Sequence, residues 1–98
     1  MSAQLSYVDQ VLTISGELSF STVQRLQQQL KNDLLGATDT VLVDLSAVTK
    51  ADTASLALCL SIERLVAKKA TVSYQHVPQA ILAIAESVGI AELFSKAN

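Results

Sequence analysis

The chain has 98 residues, half of them apolar and 16% charged, and its formal net charge is −2. This length suits one domain with a single hydrophobic core, and the composition is not that of a disordered or fibrous protein. Apart from Lys68 and Lys69 the basic residues are scattered, so the clustered cations of a nucleic-acid-binding surface are missing.

The N-terminal segment does not have the basic and apolar stretches of a signal peptide. The longest run dominated by apolar residues, 56–62, is too short to span a bilayer. The single cysteine, Cys59, lies in an apolar segment and is expected to be buried and unreactive. These features predict a soluble, cytoplasmic protein that does not insert into a membrane.

The chain begins with a predicted β-hairpin. Two short strands, at about residues 4–8 and 11–16, are rich in branched apolar residues and are separated by Asp9 and Gln10, which predicts a turn there. The fold is therefore expected to start with two antiparallel strands.

A helix is predicted over about residues 21–35. Its apolar residues recur at helical spacing and are Val23, Leu26, Leu30 and Leu34. Ser21 followed by Gln24 predicts a capping box at its start, and Gly36 is placed to end it.

The remaining elements alternate between strand and helix. The nearly continuous apolar run 40–45 predicts a strand at the centre of the sheet, covered by helices on both faces. A second helix over about 53–69, a fourth strand at 70–77, and a third helix from Pro78 to Gly89 follow, and 90–96 can add a last turn.

The order β-β-α-β-α-β-α predicts an α/β fold, a single domain over residues 1–98 with a mixed four-stranded sheet and three to four helices. Strands separated by helices are expected to pair in parallel through right-handed crossovers.

The residues do not indicate a catalytic, metal or cofactor site. The three isolated glycines cannot form a phosphate-binding loop, and His76 has no cysteine or second histidine near it in sequence. Asp44 is expected to accept hydrogen bonds from the turn after its strand, and Asp52 is expected to cap the second helix.

The second helix has two apolar faces. The face predicted to cover the sheet consists of Ser55, Leu58, Cys59, Ile62, Leu65 and Val66. The other face consists of Thr53, Leu56, Ala57, Leu60 and Arg64. An apolar centre with a polar rim is typical of a docking surface, and the alternative is that the chain's own loops or terminal helix cover Leu56 and Leu60.

Three segments together resemble the STAS domain, over essentially the whole chain: "VLVDLSAV", the "DTAS" that opens the second helix, and the upstream "ISGELSFSTV". STAS domains occur in anti-sigma factor antagonists and at the cytoplasmic ends of some anion transporters. Asp52 and Thr53 match the family's D-[ST] motif, whose hydroxyl is phosphorylated by a kinase partner in the antagonists. The resemblance thus implies that Thr53 is a possible phosphoacceptor.

Within this family, "GELSFSTV" and "DTASLALCL" are similar to MlaB-type chains, the small STAS subunits of Mla phospholipid-transport ABC complexes. This resemblance implies a non-catalytic protein without cofactor or metal. Through its second helix it would bind the ATPase subunit, and indirectly the membrane permease, at the inner face of the inner membrane. The complex maintains outer-membrane lipid asymmetry.

The resemblance and the helical periodicity together predict the partner-binding residues Asp52, Thr53, Ala54, Ser55, Leu56, Ala57, Leu60 and Arg64. The alternative function is an anti-sigma factor antagonist, with an anti-sigma factor or serine kinase as partner, switched by phosphorylation of Thr53. Family members usually carry glycine one or two places after the hydroxyl residue. Ala54 and Ser55 stand there in this chain, and their stiffer backbone makes close approach by a kinase less easy.

Overall fold

The computed structural model describes residues 2–95 and shows a mixed four-stranded sheet in the order β1-β2-β3-β4. The elements are β1 (Ala3–Val8), β2 (Val11–Leu18), α1 (Phe20–Asp33), β3 (Asp39–Ala51), α2 (Ala54–Val66), β4 (Ala70–Gln75), α3 (Gln79–Ser87) and a final 3₁₀ turn (Ala91–Phe94). The predicted order and fold class are confirmed. Position 96 of the predicted last turn, like the extreme ends of the predicted domain, lies outside the described residues.

The β1–β2 hairpin turns at Asp9 and Gln10, as predicted. Their φ angles are 52° and 69°, which is the left-handed conformation that a two-residue type I′ turn requires at both positions. Val8 pairs with Val11 across the turn, and the two strands are antiparallel.

The other strand pairs, β2 with β3 and β3 with β4, are parallel, as expected for strands joined through helices. β3 is longer than predicted because residues 46–51, which have the polar composition of a turn, continue as a strand. They remain extended because β2 pairs with them as far as Leu18 opposite Ala51.

The prediction that helices cover β3 on both faces is wrong. Val41, Val43 and Leu45 are completely buried, whereas Leu42 and Asp44, which point to the other side, are half-buried. The same alternation is seen in β1, β4 and the first part of β2, and no strand residue on that second face is buried within residues 2–95. The molecule therefore has two layers, with its core between the helices and one face of the sheet.

The predicted inward face of α1 is confirmed, since Val23, Leu26, Leu30 and Leu34 are all buried. The predicted capping box at Ser21 and Gln24 is wrong. The N-cap is Ser19, two residues before Ser21, and its backbone N–H donates to Thr22 Oγ1 at 2.9 Å. The Thr22 hydroxyl in turn donates to the Glu17 carbonyl at 2.8 Å, which links the helix start to the end of β2.

The two predicted helix-ending glycines behave differently. Gly89 has φ +81°, and the N–H of Ile90 donates to the Ala85 carbonyl at 2.9 Å, so α3 ends in a Schellman motif. Gly36 has no positive φ, and α1 already ends at Asp33. Leu34 and Leu35 close that end with hydrogen bonds to Leu30 and Asn32, so no left-handed residue is needed there.

Candidate functional site

Asp52 caps the start of α2, as predicted. Its carboxylate oxygen Oδ1 accepts the N–H of Ala54 at 2.8 Å, and its carbonyl accepts both the N–H and the hydroxyl of Ser55 at 3.0 and 2.8 Å. Thr53 has helical backbone angles, φ −60° and ψ −23°. These bonds hold Thr53 in place at the positive end of the helix dipole, with its side chain exposed.

The structure places the eight predicted partner-binding residues in three environments. The exposed ones are Asp52, Thr53, Ala57, Leu60 and Arg64, the half-buried one is Ala54, and the buried ones are Ser55 and Leu56. Most of the predicted surface is thus accessible on one side of α2.

Leu56 and Ser55 are not accessible on this surface, and the helical periodicity also places Ser55 on the inward face. Leu56 is only 6% exposed and belongs to the hydrophobic core, and Ser55 is completely buried, with its hydroxyl bonded to Asp52. Leu56 lies three residues before the buried Cys59 and four before the exposed Leu60, so it borders both faces. Leu60, in contrast, is 41% exposed, so the chain's own segments cover one of the two leucines and not the other.

The predicted inward face of α2 is confirmed, including Ser55. Leu58, Cys59, Ile62 and Val66 are buried, and Leu65 is half-buried. Burial raises the pKa of the Cys59 thiol to about 12, and the nearby Glu63 carboxylate adds to the shift. The thiol is therefore protonated and shielded, as the sequence predicted.

A groove of about 240 Å³ lies beside Thr53, between the first turns of α1 and α2. It is lined by Phe20, Val23, Gln24, Gln27, Asp52, Thr53, Ala54 and Ala57. Phe20 is 71% exposed, an unusual position for an aromatic ring in a chain with only four aromatic residues. The groove places an accessible aromatic side chain next to the predicted phosphoacceptor.

Sequence reasoning missed Phe20 because it began the first helix at Ser21. The signal was present, since Phe20, Gln24, Gln27 and Lys31 recur every three to four residues and so share one face of α1. That face lies along α2, where Gln27 Nε2 donates to the Ser61 hydroxyl at 2.9 Å. We call the surface formed by two sets of side chains the α1/α2 seam: Phe20, Gln24, Gln27 and Lys31 of α1, and Thr53, Ala57, Leu60 and Arg64 of α2.

Asp44 and His76 lie away from this seam. Asp44 Oδ1 accepts the N–H of Ser46 at 3.0 Å, as predicted, and lies 3.3 Å from His76 Nδ1. The Ser46 hydrogen bond is the main reason that the pKa of Asp44 is lowered, and the His76 contact adds to this. His76 is exposed and follows β4 with φ 58°, so the strand ends two residues before the predicted bound at 77.

Residues 2–95 contain no group of three or more histidine, cysteine or acidic side chains arranged to hold a metal ion. The longest helix among them, α1, has 14 residues, and none combines the length and apolar character needed to cross a membrane.

A family model described as "Mlab, STAS domain" matches residues 1–95. A comparison with curated protein sequences finds no match. Among solved structures, the chain is similar to the anti-sigma factor antagonist SpoIIAA in its unphosphorylated form. The identity is 17% over 95% of this chain and 85% of that chain, with a TM-score of 0.71.

An anti-sigma factor antagonist from Mycobacterium paratuberculosis is also similar, with 19% identity over 95% of this chain and 81% of that chain and a TM-score of 0.75. At these identities the solved structures show a shared fold. The family model spans nearly the whole chain, and the chain therefore belongs to the STAS domain family that it describes.

Proposed function

We propose that this protein is a non-catalytic subunit that binds the ATPase of an Mla-type phospholipid ABC transporter through the α1/α2 seam. The observation that carries the proposal is the exposure of two large apolar side chains on these helices: Phe20, beside Thr53, is 71% exposed, and Leu60, two turns further along α2, is 41% exposed. A protein-protein interface typically has apolar anchor residues at its centre and polar residues around its rim. The match to the family described as "Mlab, STAS domain" supports the choice of partner.

The rigidity of this surface also supports docking. Asp52 caps α2, and the Ser55 hydroxyl donates to the Asp52 carbonyl. The hydrogen bond from Gln27 to Ser61 connects α1 to α2. Side chains held in one arrangement before binding lose little conformational entropy when the partner arrives. The complex, through its permease, acts in maintaining outer-membrane lipid asymmetry, and this subunit supports it from the inner face of the inner membrane.

Replacement of Leu60 with glutamate tests this function. The side chain is 41% exposed, so the free protein should keep its fold and melt within a few degrees of the parent. In the complex the new carboxylate would face the apolar part of the partner and would also lie one turn before Arg64, so the apolar contact should be lost and the ATPase should no longer co-purify. Cells that carry the variant should show the outer-membrane leakiness of a strain without the gene.

Val88→Glu is the matched control for this experiment. Val88 is 55% exposed and follows α3, outside the seam. It should leave both the fold and ATPase binding intact. If Leu60→Glu instead unfolds the protein, or if it binds the ATPase as well as Val88→Glu does, the seam is not the docking surface.

The second candidate function is an anti-sigma factor antagonist, which an anti-sigma factor or serine kinase would bind and which phosphorylation of Thr53 would switch. One observation favours it: Thr53 is exposed at a helix N-terminus, where the dipole stabilises an added phosphate. Two solved structures of similar fold are of anti-sigma factor antagonists.

Thr53→Val separates the two functions because valine keeps the shape of threonine but cannot be phosphorylated. A docking subunit should retain ATPase binding and lipid transport with valine. A phospho-switch should lose regulation and stay in its unmodified, partner-binding state, and phosphate should be found on Thr53 of the parent by mass spectrometry. Thr53→Ser, which preserves the hydroxyl, should be close to the parent in either case.

A further inference from the structure

The α1/α2 seam changes character along its length. At its N-terminal end is the groove with Phe20 and Ala57 beside Thr53. At its C-terminal end a second groove, of about 260 Å³, is lined by Lys31, Ser61, Arg64 and Leu65. The first groove therefore carries an exposed aromatic ring and the carboxylate of Asp52, and the second carries two cations.

Lys31 and Arg64 are exposed, and neither forms a salt bridge within residues 2–95. The carboxylates nearest to them in sequence have other hydrogen-bond partners. Asp33 accepts from the Gln29 amide at 3.1 Å, and Glu63 accepts from the Tyr74 hydroxyl at 2.7 Å. In the part of the chain that the structure describes, the positive charge of this groove therefore has no acidic partner.

We propose that the groove between Lys31 and Arg64 receives an acidic side chain of the protein that docks on the seam. The inference rests on the proposed function, because it takes the seam to be the docking surface. Phe20 and Leu60 contact an apolar part of the partner, while the ammonium and guanidinium groups flank a carboxylate one helical turn or more away. This pairing fixes the direction in which the partner lies along the two helices.

The charges favour a protein partner over an anionic lipid surface. Two cations attract a membrane only weakly, whereas lipid-binding segments carry clusters of four to eight. The net charge of the chain is −2, and the same seam carries the exposed carboxylate of Asp52. The presence of charged and apolar side chains on the same two helices also matches a protein interface, whose polar rim surrounds an apolar centre.

Calorimetric titration of the purified protein with the purified Mla-type ATPase subunit of the same organism tests the inference. The double variant Lys31→Glu/Arg64→Glu should weaken binding by at least about tenfold at low salt, and Lys31→Gln/Arg64→Gln should weaken it less. Raising the salt from about 50 to about 300 mM should weaken binding of the parent and have less effect on the glutamine variant.

Lys68→Glu/Lys69→Glu is the matched control, because it changes the net charge by the same amount at a different cavity. This control should bind the ATPase with an affinity within about twofold of the parent's if local contacts decide the affinity and the electrostatic potential of the whole protein does not. Binding of Lys31→Glu/Arg64→Glu that equals the parent or this control would overturn the inference.

A vesicle assay covers the competing explanation. In one outcome, the parent sediments with phosphatidylglycerol vesicles, while Lys31→Glu/Arg64→Glu does not sediment but still binds the ATPase normally. That result would mean that the cations bind a membrane surface and that the inference is wrong. Leu60→Glu separates this failure from failure of the proposed function. A parent that binds the ATPase, a Leu60→Glu variant that does not, and charge variants that bind normally would refute the acidic contact alone.

Discussion

Gly16 lies in β2 where the strand passes very close to the backbone of the N-terminal segment. It has φ +92°, and a Cβ atom built there would lie 2.1 Å from the carbonyl oxygen of Ser2 and 2.8 Å from Cα of Ala3. The Glu17 N–H donates to that same Ser2 carbonyl at 3.2 Å, so the close approach is part of the β1–β2 pairing. Only glycine combines this conformation with this contact.

Gly16→Ala should therefore destabilise the fold by at least about 2 kcal/mol, because the methyl group meets backbone atoms that cannot rotate away. Urea unfolding followed by circular dichroism measures the loss. Gly36→Ala is the control, since a Cβ at Gly36 has no neighbour within 4 Å and the residue has no positive φ. Equal stability of the two variants would contradict this account of Gly16.

At the scale of elements, α2 joins the core of the domain to its exposed seam. Its buried side includes Leu58 and Ile62, both with no exposed area, and its other side carries Leu60 and Arg64. These two sets of side chains lie on different sides of the same helix. A substitution on one side therefore tests the core, and a substitution on the other side tests the exposed surface. Leu56, at the border, belongs to the core.

Ile62→Ala should lower the free energy of unfolding by about 2 to 5 kcal/mol, because it removes methyl groups from a fully packed site and leaves a cavity. The total free energy of unfolding of a small domain is about 5 to 15 kcal/mol, so this loss would be a large part of it. Leu60→Ala, at the exposed position, should cost less than about 1 kcal/mol. A loss under about 0.5 kcal/mol for Ile62→Ala in urea melts would show that the two faces are assigned the wrong way round.

At the scale of the whole molecule, the helices cover one face of the sheet and leave the other polar. The edge strand β1 is shielded by α1, because Arg25 Nη2 donates to the Ala3 carbonyl at 2.6 Å and Gln29 Nε2 donates to the Leu5 carbonyl at 3.0 Å. Side chains that occupy an edge in this way oppose pairing with another strand. On the open face, Asp44 in the middle of β3 lies 3.3 Å from Nδ1 of His76, which follows β4.

The stability of the fold should depend on the ionisation of Asp44. Its pKa is lowered in the folded state, so the carboxylate stabilises the fold above its unfolded pKa of about 4, and this contribution is lost as the pH falls through the folded pKa. Asp44→Asn should therefore be less stable than the parent near neutral pH. The difference should shrink in acid, as urea melts at several pH values can show. A pH-independent difference would mean that ionisation of Asp44 contributes nothing.

Much of the fold followed from local features of the sequence. Asp9 and Gln10 marked the hairpin, the spacing of Leu26 and Leu30 marked the first helix, and Asp52 marked the start of the second. These signals are strong because turn conformation, helical periodicity and capping depend on residues a few positions apart. The exposed residues Thr53, Ala57, Leu60 and Arg64 were predicted for the same reason, since one helix determines which side chains share a face.

Other features depended on contacts between elements far apart in sequence. Whether Leu56 is covered is decided by how α2 packs into the core, and whether Leu42 is covered is decided by the absence of a helix over that face of the sheet within residues 2–95. The groove beside Phe20 and the cationic end at Lys31 exist only because α1 and α2 lie side by side. Hydrophobic periodicity identifies an apolar face, but only the tertiary structure determines which neighbour, if any, that face meets.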